Sequence, residues 1–373
     1  MIELIKALDK SRYHAHVLLL KDSMVSSKLT EEGIDYSVAR SNFYKQYYQY
    51  FTHSEAGYVK WYQIYKFIKL SLLWMLSRFY FASKELEGIE YDIAHLNSSV
   101  LTDWLAPAKK KGKVIIHIRE PFRRGNLDII APFFRRQMKK YADIIIAISK
   151  DNAKRVGLPK KTEVIYNYAD VPNYEPSEKS YSSKKFLYLG GAAKIKGFYT
   201  MVAALDYLDK DIRVYFGGSY SMSSKKSRIK RTLKKLLRIG KKRQKAIEKM
   251  RKHPNAIEIG MTHQVDKYLD EVCCLISPFS TPHFARPVIE AYLHKKPVIG
   301  SDVQGMDEII KHGDTGWIFN RDNAKQLGIL INQIVSLPLQ LKDKGQTSYN
   351  LGINKYTPEN IKSFEVVYNK LDK

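Results

Sequence analysis

Arg286, Pro287 and Glu290 are the residues whose types and spacing point most sharply to chemistry. Pro287 stands where the first turn of a helix tolerates a missing N–H, so a helix is predicted to open there. Glu290 then lies about one turn inside that helix, and Arg286 stands at its mouth, four residues before Glu290. A helix N-terminus presents unpaired N–H groups and a partial positive charge, which suits a phosphate. Arg286 can fork onto phosphate oxygens, and Glu290 can accept hydrogen bonds from sugar hydroxyls. Either feature alone describes a buried Glu in an ordinary α/β unit; the combination describes a site for a sugar nucleotide. A second stretch, GGAAKIKG from Gly190 to Gly197, has small residues that let backbone N–H groups approach an anion. Lys196 adds a compact positive charge at the expected helix start, which favours a diphosphate over a plain strand-to-helix loop. His117 ends the run KVIIHI, and His95 and Asn97 in AHLNSS also stand at a strand's C-terminal end, facing an acceptor. Arg119 and Glu120, in HIRE, read as a local ion pair that shapes the loop.

These residues need strands and helices to position them. The first half of the chain supplies strand signals in HAHVLLL, YDIAHL, KVIIHI, ADIIIAIS and EVIYN, with helical segments between. A polar linker, Tyr168 to Lys185, follows, and the alternation starts again in KFLYLG, IRVYFGG, AIEIG, VCCLIS, KPVIGS and GWIF. Short apolar runs alternating with helices predict parallel, doubly wound sheets. The stretch from Ser277 to Phe319 reads as loop, helix, short strand, Gly-capped helix, turn and strand. The expected organisation is an N-terminal α/β domain over 1–170, a second over 171–345, and a helical segment over 346–373 packing back on the first. Ligands of such sheets bind at the strand C-termini, here expected in a central cleft between the halves. Thr357 and Pro358 are expected to open the last helix as its cap and first residue.

Composition narrows the partners. The chain has 373 residues, 44% hydrophobic and 27% charged, a globular balance with room for two cores. Its two cysteines, Cys273 and Cys274, are neighbours on a strand and point to opposite faces, so no disulfide and no metal-ligand spacing is expected. That fits a reducing cytoplasm. No signal peptide opens the sequence, and no apolar run reaches the roughly 18 residues of a spanning helix. The net charge of +25 calls for an anionic partner. From Ser219 to His253 there are fifteen Lys or Arg against one acid, Glu248, with apolar residues at near-helical spacing. A recognisable nucleic-acid module is missing, so an anionic membrane surface is the favoured partner, nucleic acid is not, and a solvated helical face is the plain alternative. Tyr58 to Lys84, which mixes Trp, Tyr, Phe and cations around an apolar centre, is a second candidate membrane surface; a helical pair packed on its own domain is the alternative.

The ordered set of motifs resembles the glycosyltransferases of family 4. HIREPFRRG, ADIIIAIS and EVIYNYAD resemble their N-terminal half; LYLGGAAKIKG and the Ser277–Phe319 stretch resemble their donor-binding half. The resemblance implies a GT-B fold of two doubly wound Rossmann-like domains and metal-independent, cofactor-free transfer of a sugar with retained anomeric configuration. The donor would be a UDP- or GDP-linked sugar and the acceptor a hydroxyl of a glycan or lipid-linked acceptor, in capsule, O-antigen or lipopolysaccharide assembly at the inner face of a cell membrane. It assigns donor contacts to Gly190, Gly191, Lys196, Gly197, His283, Phe284, Ala285, Arg286 and Glu290. Reaction-centre roles fall to His117, Lys196, Arg286 and Glu290, and acceptor-side roles to His95, Asn97, Arg119 and Glu120. Two positions depart from the family: Gly191 stands where an Arg is usual, and Pro282 where a donor-sugar acid is usual. The first strand and Gly-rich loop of the N-terminal domain are also missing from IELIKALDKSRYHAHVLLL. An upstream segment completing the sheet is the expected explanation, and the chain from Met1 is then expected to be poorly soluble or inactive. A non-catalytic sugar-nucleotide- or glycan-binding relative is the alternative.

Overall fold

The computed structural model describes residues 1–46, 64–124, 128, 130–173, 175, 177–220, 241–262 and 264–372. Two units emerge: Met1–Tyr166 with Glu359–Lys373, and Asn167–Pro358. The segment 346–373 is divided between them. The helix Pro338–Lys355 belongs to the second unit, and the helix Asn360–Leu371 to the first. That last helix opens later than the sequence suggests, with Glu359 rather than Thr357 at its N-cap and no side-chain cap bond.

In the first unit the strands are β1 (Val17–Leu19), β2 (Tyr36–Val38), β3 (Ile93–Leu96), β4 (Lys113–Ile118), β5 (Ile144–Ala147) and β6 (Thr162–Val164). β4 is buried at every position after Lys113, the mark of a strand covered on both faces. β3 to β6 pair in sequence order as a parallel four-stranded sheet, while β1 and β2 form a separate parallel pair. β2 had no clear sequence signal; Tyr36-Ser-Val38 is too short and too polar to read as a strand.

The second unit carries β7 (Lys185–Tyr188), β8 (Arg213–Gly217), β9 (Ala256–Gly260), β10 (Cys274–Ser277), β11 (Val298–Ser301) and β12 (Gly316–Phe319). They form one parallel sheet in the order β12-β11-β10-β7-β8-β9. The chain enters at β7, builds outward through β8 and β9, then crosses to β10 on the other side of β7. Strand order therefore reverses between β7 and β10, and the crevice at their C-terminal ends is where such sheets bind ligands. Cys273 and Cys274 are buried and free.

The expected basic segment lies partly outside the described residues, at 221–240. Its described remainder is the helix Lys241–Lys252, which buries Ile247 and Met250. There Arg251 pairs with Glu258 at 2.6 Å, and Lys249 pairs with Asp206. In the second candidate surface, 58–63 lies outside the described residues and the helix Ile64–Leu76 follows. No helix of the described residues is long and apolar enough to cross a membrane.

Candidate functional site

The loops after β7 and β10 are locked together by their backbones. Ser280 donates from its N–H to the Ile195 carbonyl and from its Oγ to the Lys194 carbonyl, each at 3.0 Å. Gly197 has φ +73°, and a Cβ there would lie 1.7 Å from the Pro278 carbonyl oxygen. Only glycine meets both conditions. A Cβ on Gly190 would likewise lie 2.0 Å from the Tyr188 hydroxyl oxygen.

Part of the glycine loop's backbone is spent on the fold. Gly191 N–H donates to the Gly217 carbonyl at 2.9 Å and Ala192 N–H to the Ser219 carbonyl at 3.1 Å. Lys196, Gly197 and Phe198 donate to carbonyls inside their own turn. Beside these spent amides, the N–H groups of Gly190, Ala193, Lys194 and Ile195 donate to no acceptor among the described residues, and neither does Lys196 Nζ, so the loop can offer an anion both amides and a charge. Further free amides follow β10. The helix Arg286–Leu293 opens with Ala285 at its N-cap and Pro287 in the first turn. The N–H groups of Ala285 and Arg286 donate to no acceptor among the described residues.

Arg286 and Glu290 come together on this helix, Nε to Oε1 at 3.1 Å. Burial raises the Glu290 carboxyl pKa, against the opposing charge of Arg286. The guanidinium is more than half exposed, and an i, i+4 pair of this kind contributes only about 0.3–0.5 kcal/mol. A phosphate can therefore draw Arg286 away at little cost. His283 stacks on Phe279 with centroids 4.2 Å apart and planes 11° apart. Burial and the nearby Lys196 charge push its imidazole down to about 4, so it is neutral at physiological pH and lies in the same cationic field as Lys196. The side chains of Phe284 and Ala285 are buried, with Phe284 against Tyr356, which leaves their backbone as what they can offer a ligand.

Sequence reading missed a cluster at the far end of this helix. His294 Nδ1 faces Asp270 at 3.0 Å and Nε2 faces Asp266 at 3.2 Å. Asp266 and Asp270, spaced i, i+4 on the helix Val265–Glu271, were the available signal.

In the first unit, His117 is buried on β4 and His95 is part-buried on neighbouring β3. His95 Nε2 lies 3.3 Å from His117 Nδ1, and His95 Nδ1 lies 2.8 Å from the Tyr368 hydroxyl. The proton positions follow from the partners available. If Tyr368 O–H donates to His95 Nδ1, His95 donates from Nε2 to His117 Nδ1, and His117 carries its proton on Nε2. The opposite direction would leave the buried Tyr368 O–H without an acceptor among the described residues. His117 Nε2 is itself buried with no partner among the described residues, so it is a hydrogen-bond donor held in reserve. Burial holds both imidazoles well below their ordinary pKa, His95 at about 3, with the Arg119 charge acting in the same direction; both rings are neutral. Arg119 donates to Asn97 Oδ1 at 3.3 Å, while Glu120 accepts from Ser98 at 2.9 Å and from Ser99 at 3.4 Å. Tyr368 was invisible to sequence reading because nothing near it in the chain marks its partner.

Residues 172–350 match the family model described as glycosyl transferases group 1. No curated protein sequence matches the chain. Among solved structures, the chain is similar to Anabaena Alr3699/HepE in complex with UDP and glucose, with a TM-score of 0.70 at 15% identity over 99% of this chain and 94% of that one. It is similar to a glycosyltransferase from Rickettsia africae ESF-5, with a TM-score of 0.70 at 17% identity over 100% of this chain and 94% of that one. It is also similar to the lipopolysaccharide outer core galactosyltransferase WaaB in its apo form, with a TM-score of 0.64 at 18% identity over 99% and 94%. At these identities the likeness shows the fold: two Rossmann-like α/β units of the GT-B type.

Proposed function

We propose that the chain transfers a sugar from a nucleotide diphosphate donor to a hydroxyl acceptor, with retention at the anomeric carbon. The observation that carries this reading is that the loops after β7 and β10, fastened together where strand order reverses, carry Lys196, whose charge acts on His283, and lead into the helix with the free N–H groups of Ala285 and Arg286, the Arg286 guanidinium and the Glu290 carboxylate. The diphosphate sits against Lys196 and the helix mouth, and Glu290 accepts from the ribose hydroxyls. As the glycosidic bond to phosphate breaks, negative charge grows on the leaving diphosphate, and these cationic groups stabilise it as it forms. In the first unit, His117 keeps its Nε2–H available to a hydroxyl. The family 4 reading, a UDP- or GDP-linked hexose as donor, a glycan or lipid-linked acceptor in capsule, O-antigen or lipopolysaccharide assembly, and a cytoplasmic location against an anionic membrane, belong to the same proposal. The matched group 1 model and the UDP complexes of the similar Anabaena protein support it.

Pro282 favours a second reading, a subunit that binds the nucleotide sugar without transferring it, because proline brings no acid to the donor sugar. The test is release of free UDP or GDP from a panel of nucleotide sugars, with and without a membrane extract as acceptor source. Acceptor-dependent release supports transfer. Saturable donor binding with no release under either condition supports the second reading instead.

A further inference from the structure

The helix Ile64–Leu76 runs into a π-turn, Ser77–Phe81, and a short helix, Ala82–Glu85. One face belongs to the core: Trp74, Ser77 and Ala82 are buried, and Phe67 and Leu70 pack against the same cluster. The outward face is apolar as well. Ile64, Ile68, Leu72, Met75, Leu76 and Phe79 recur at helical-turn intervals and are exposed, Ile68 by 54% and Phe79 by 74%. A helix that is apolar outward as well as inward is normally buried or in contact with lipid, and soluble monomers rarely present so long an apolar stripe to water.

The cations along the stripe decide what covers it. From 64 to 84 there is no Asp or Glu, against Lys66, Lys69, Arg78 and Lys84. At the π-turn the Arg78 guanidinium lies among the rings of Trp74, Phe79 and Tyr141, at 5.4, 5.6 and 4.9 Å from their centroids. Its Nη1 is buried and has no hydrogen-bond partner among the described residues. Arg78 lines a pocket of about 290 Å³ with Phe79, Lys109, Lys110 and Tyr141. Asp143 neutralises Lys109 at 2.7 Å, whereas Lys110 Nζ has no partner among the described residues. A buried donor left without an acceptor is costly, so the pocket suits an anionic oxygen. A second copy of this chain on the same face would set these cations against their own images. The helix Lys241–Lys252 competes poorly, because its apolar Ile247 and Met250 are buried and two of its cations are ion-paired.

We propose that the 64–81 stripe seats on an anionic bilayer, its apolar side chains below the headgroups and a lipid phosphate in the Arg78–Lys110 pocket. This surface sharpens the membrane part of the function proposed above and stands whether or not the chain transfers sugar. The test is co-sedimentation of the full chain with phosphatidylcholine vesicles containing phosphatidylglycerol and with phosphatidylcholine vesicles alone, which needs no donor and no activity. Binding is expected to the anionic vesicles, to weaken at high salt, and to fall at least about tenfold in Ile68→Glu/Leu72→Glu and in Arg78→Gln/Lys110→Glu. Lys241→Glu/Lys245→Glu is expected to change it less than either pair. All variants change exposed or pocket side chains, and an unaltered unfolding midpoint confirms that each folds. Four outcomes overturn the proposal: no vesicle binding, wild-type binding by both stripe variants, a wild-type dimer that Ile68→Glu/Leu72→Glu converts to monomer, or full displacement from vesicles by millimolar inorganic phosphate.

Discussion

In the second unit the site residues come from two loops that follow adjacent strands, and backbone hydrogen bonds fasten one loop to the other. In the first unit His117 owes its proton position to Tyr368, which reaches it through His95, 273 residues away in sequence from Tyr368. The first arrangement is held by the amides it spends on the fold, and it leaves charge on side chains and free N–H groups in the loop and at one helix end. The second is a chain of neutral donors whose direction is set at its far end. The first kind of site suits an anionic group, and the second suits the orientation of a hydroxyl.

The rigidity of the loop pair is broken most severely by Gly197→Ala. Its Cβ would enter the Pro278 carbonyl at a φ that side chains avoid, so the loops must part. Calorimetry is expected to show nucleotide binding abolished, with the unfolding midpoint lowered.

The first unit has a liability that the second unit's loops lack. Asp103 is buried beneath the π-turn, where it accepts from Ser77, and burial pushes its carboxyl up to about 7 from 3.8. The unfolded chain therefore ionises this group first, and the unit loses stability as pH rises between about 4 and 7, by at most about 4 kcal/mol. Above that range the loss is complete. Asp103→Asn is expected to flatten the pH dependence of the unfolding midpoint across this window.

Removing charge alone from the loop pair is milder. Lys196→Met is expected to lower turnover by roughly 100-fold or more with little change in the unfolding midpoint, since Nζ makes no structural contact among the described residues. Tyr368→Phe should cost about tenfold, from loss of the fixed His117 tautomer. Nitrogen-correlated NMR of the His117 ring is expected to show the proton on Nε2 in the wild type and a mixture in the variant. A wild-type proton on Nδ1 would contradict the assigned direction.

Much of this was legible in the sequence, for a physical reason. The strands other than Tyr36–Val38 announce themselves as short apolar runs, most plainly Lys113–Ile118, where a parallel strand covered on both faces has no polar side to blur the signal. Arg286, Pro287 and Glu290 were readable because one helix N-terminus places them in register. The spent amides of Gly191 and Ala192 were not, since their acceptors, Gly217 and Ser219, lie at and just beyond the end of another strand, β8. Nor was the division of 346–373 between units: Thr357 and Pro358 mark the break between the two helices, but nothing in the sequence says which unit each helix joins.

The central claim is that Lys196 and Glu290 hold a nucleotide diphosphate at the β7–β10 reversal. Titration calorimetry of UDP and GDP into the full chain tests it most directly, with the wild type set against Lys196→Met and Glu290→Gln and the pH varied. One nucleotide is expected to bind the wild type at a single site and to weaken in both variants. Because burial raises the Glu290 carboxyl above its ordinary 4.5, wild-type affinity should start to fall, as pH is lowered, at a higher pH than an exposed glutamate would give. In Glu290→Gln that fall should be absent. Binding of neither nucleotide, or equal affinity in wild type and both variants, would contradict the account.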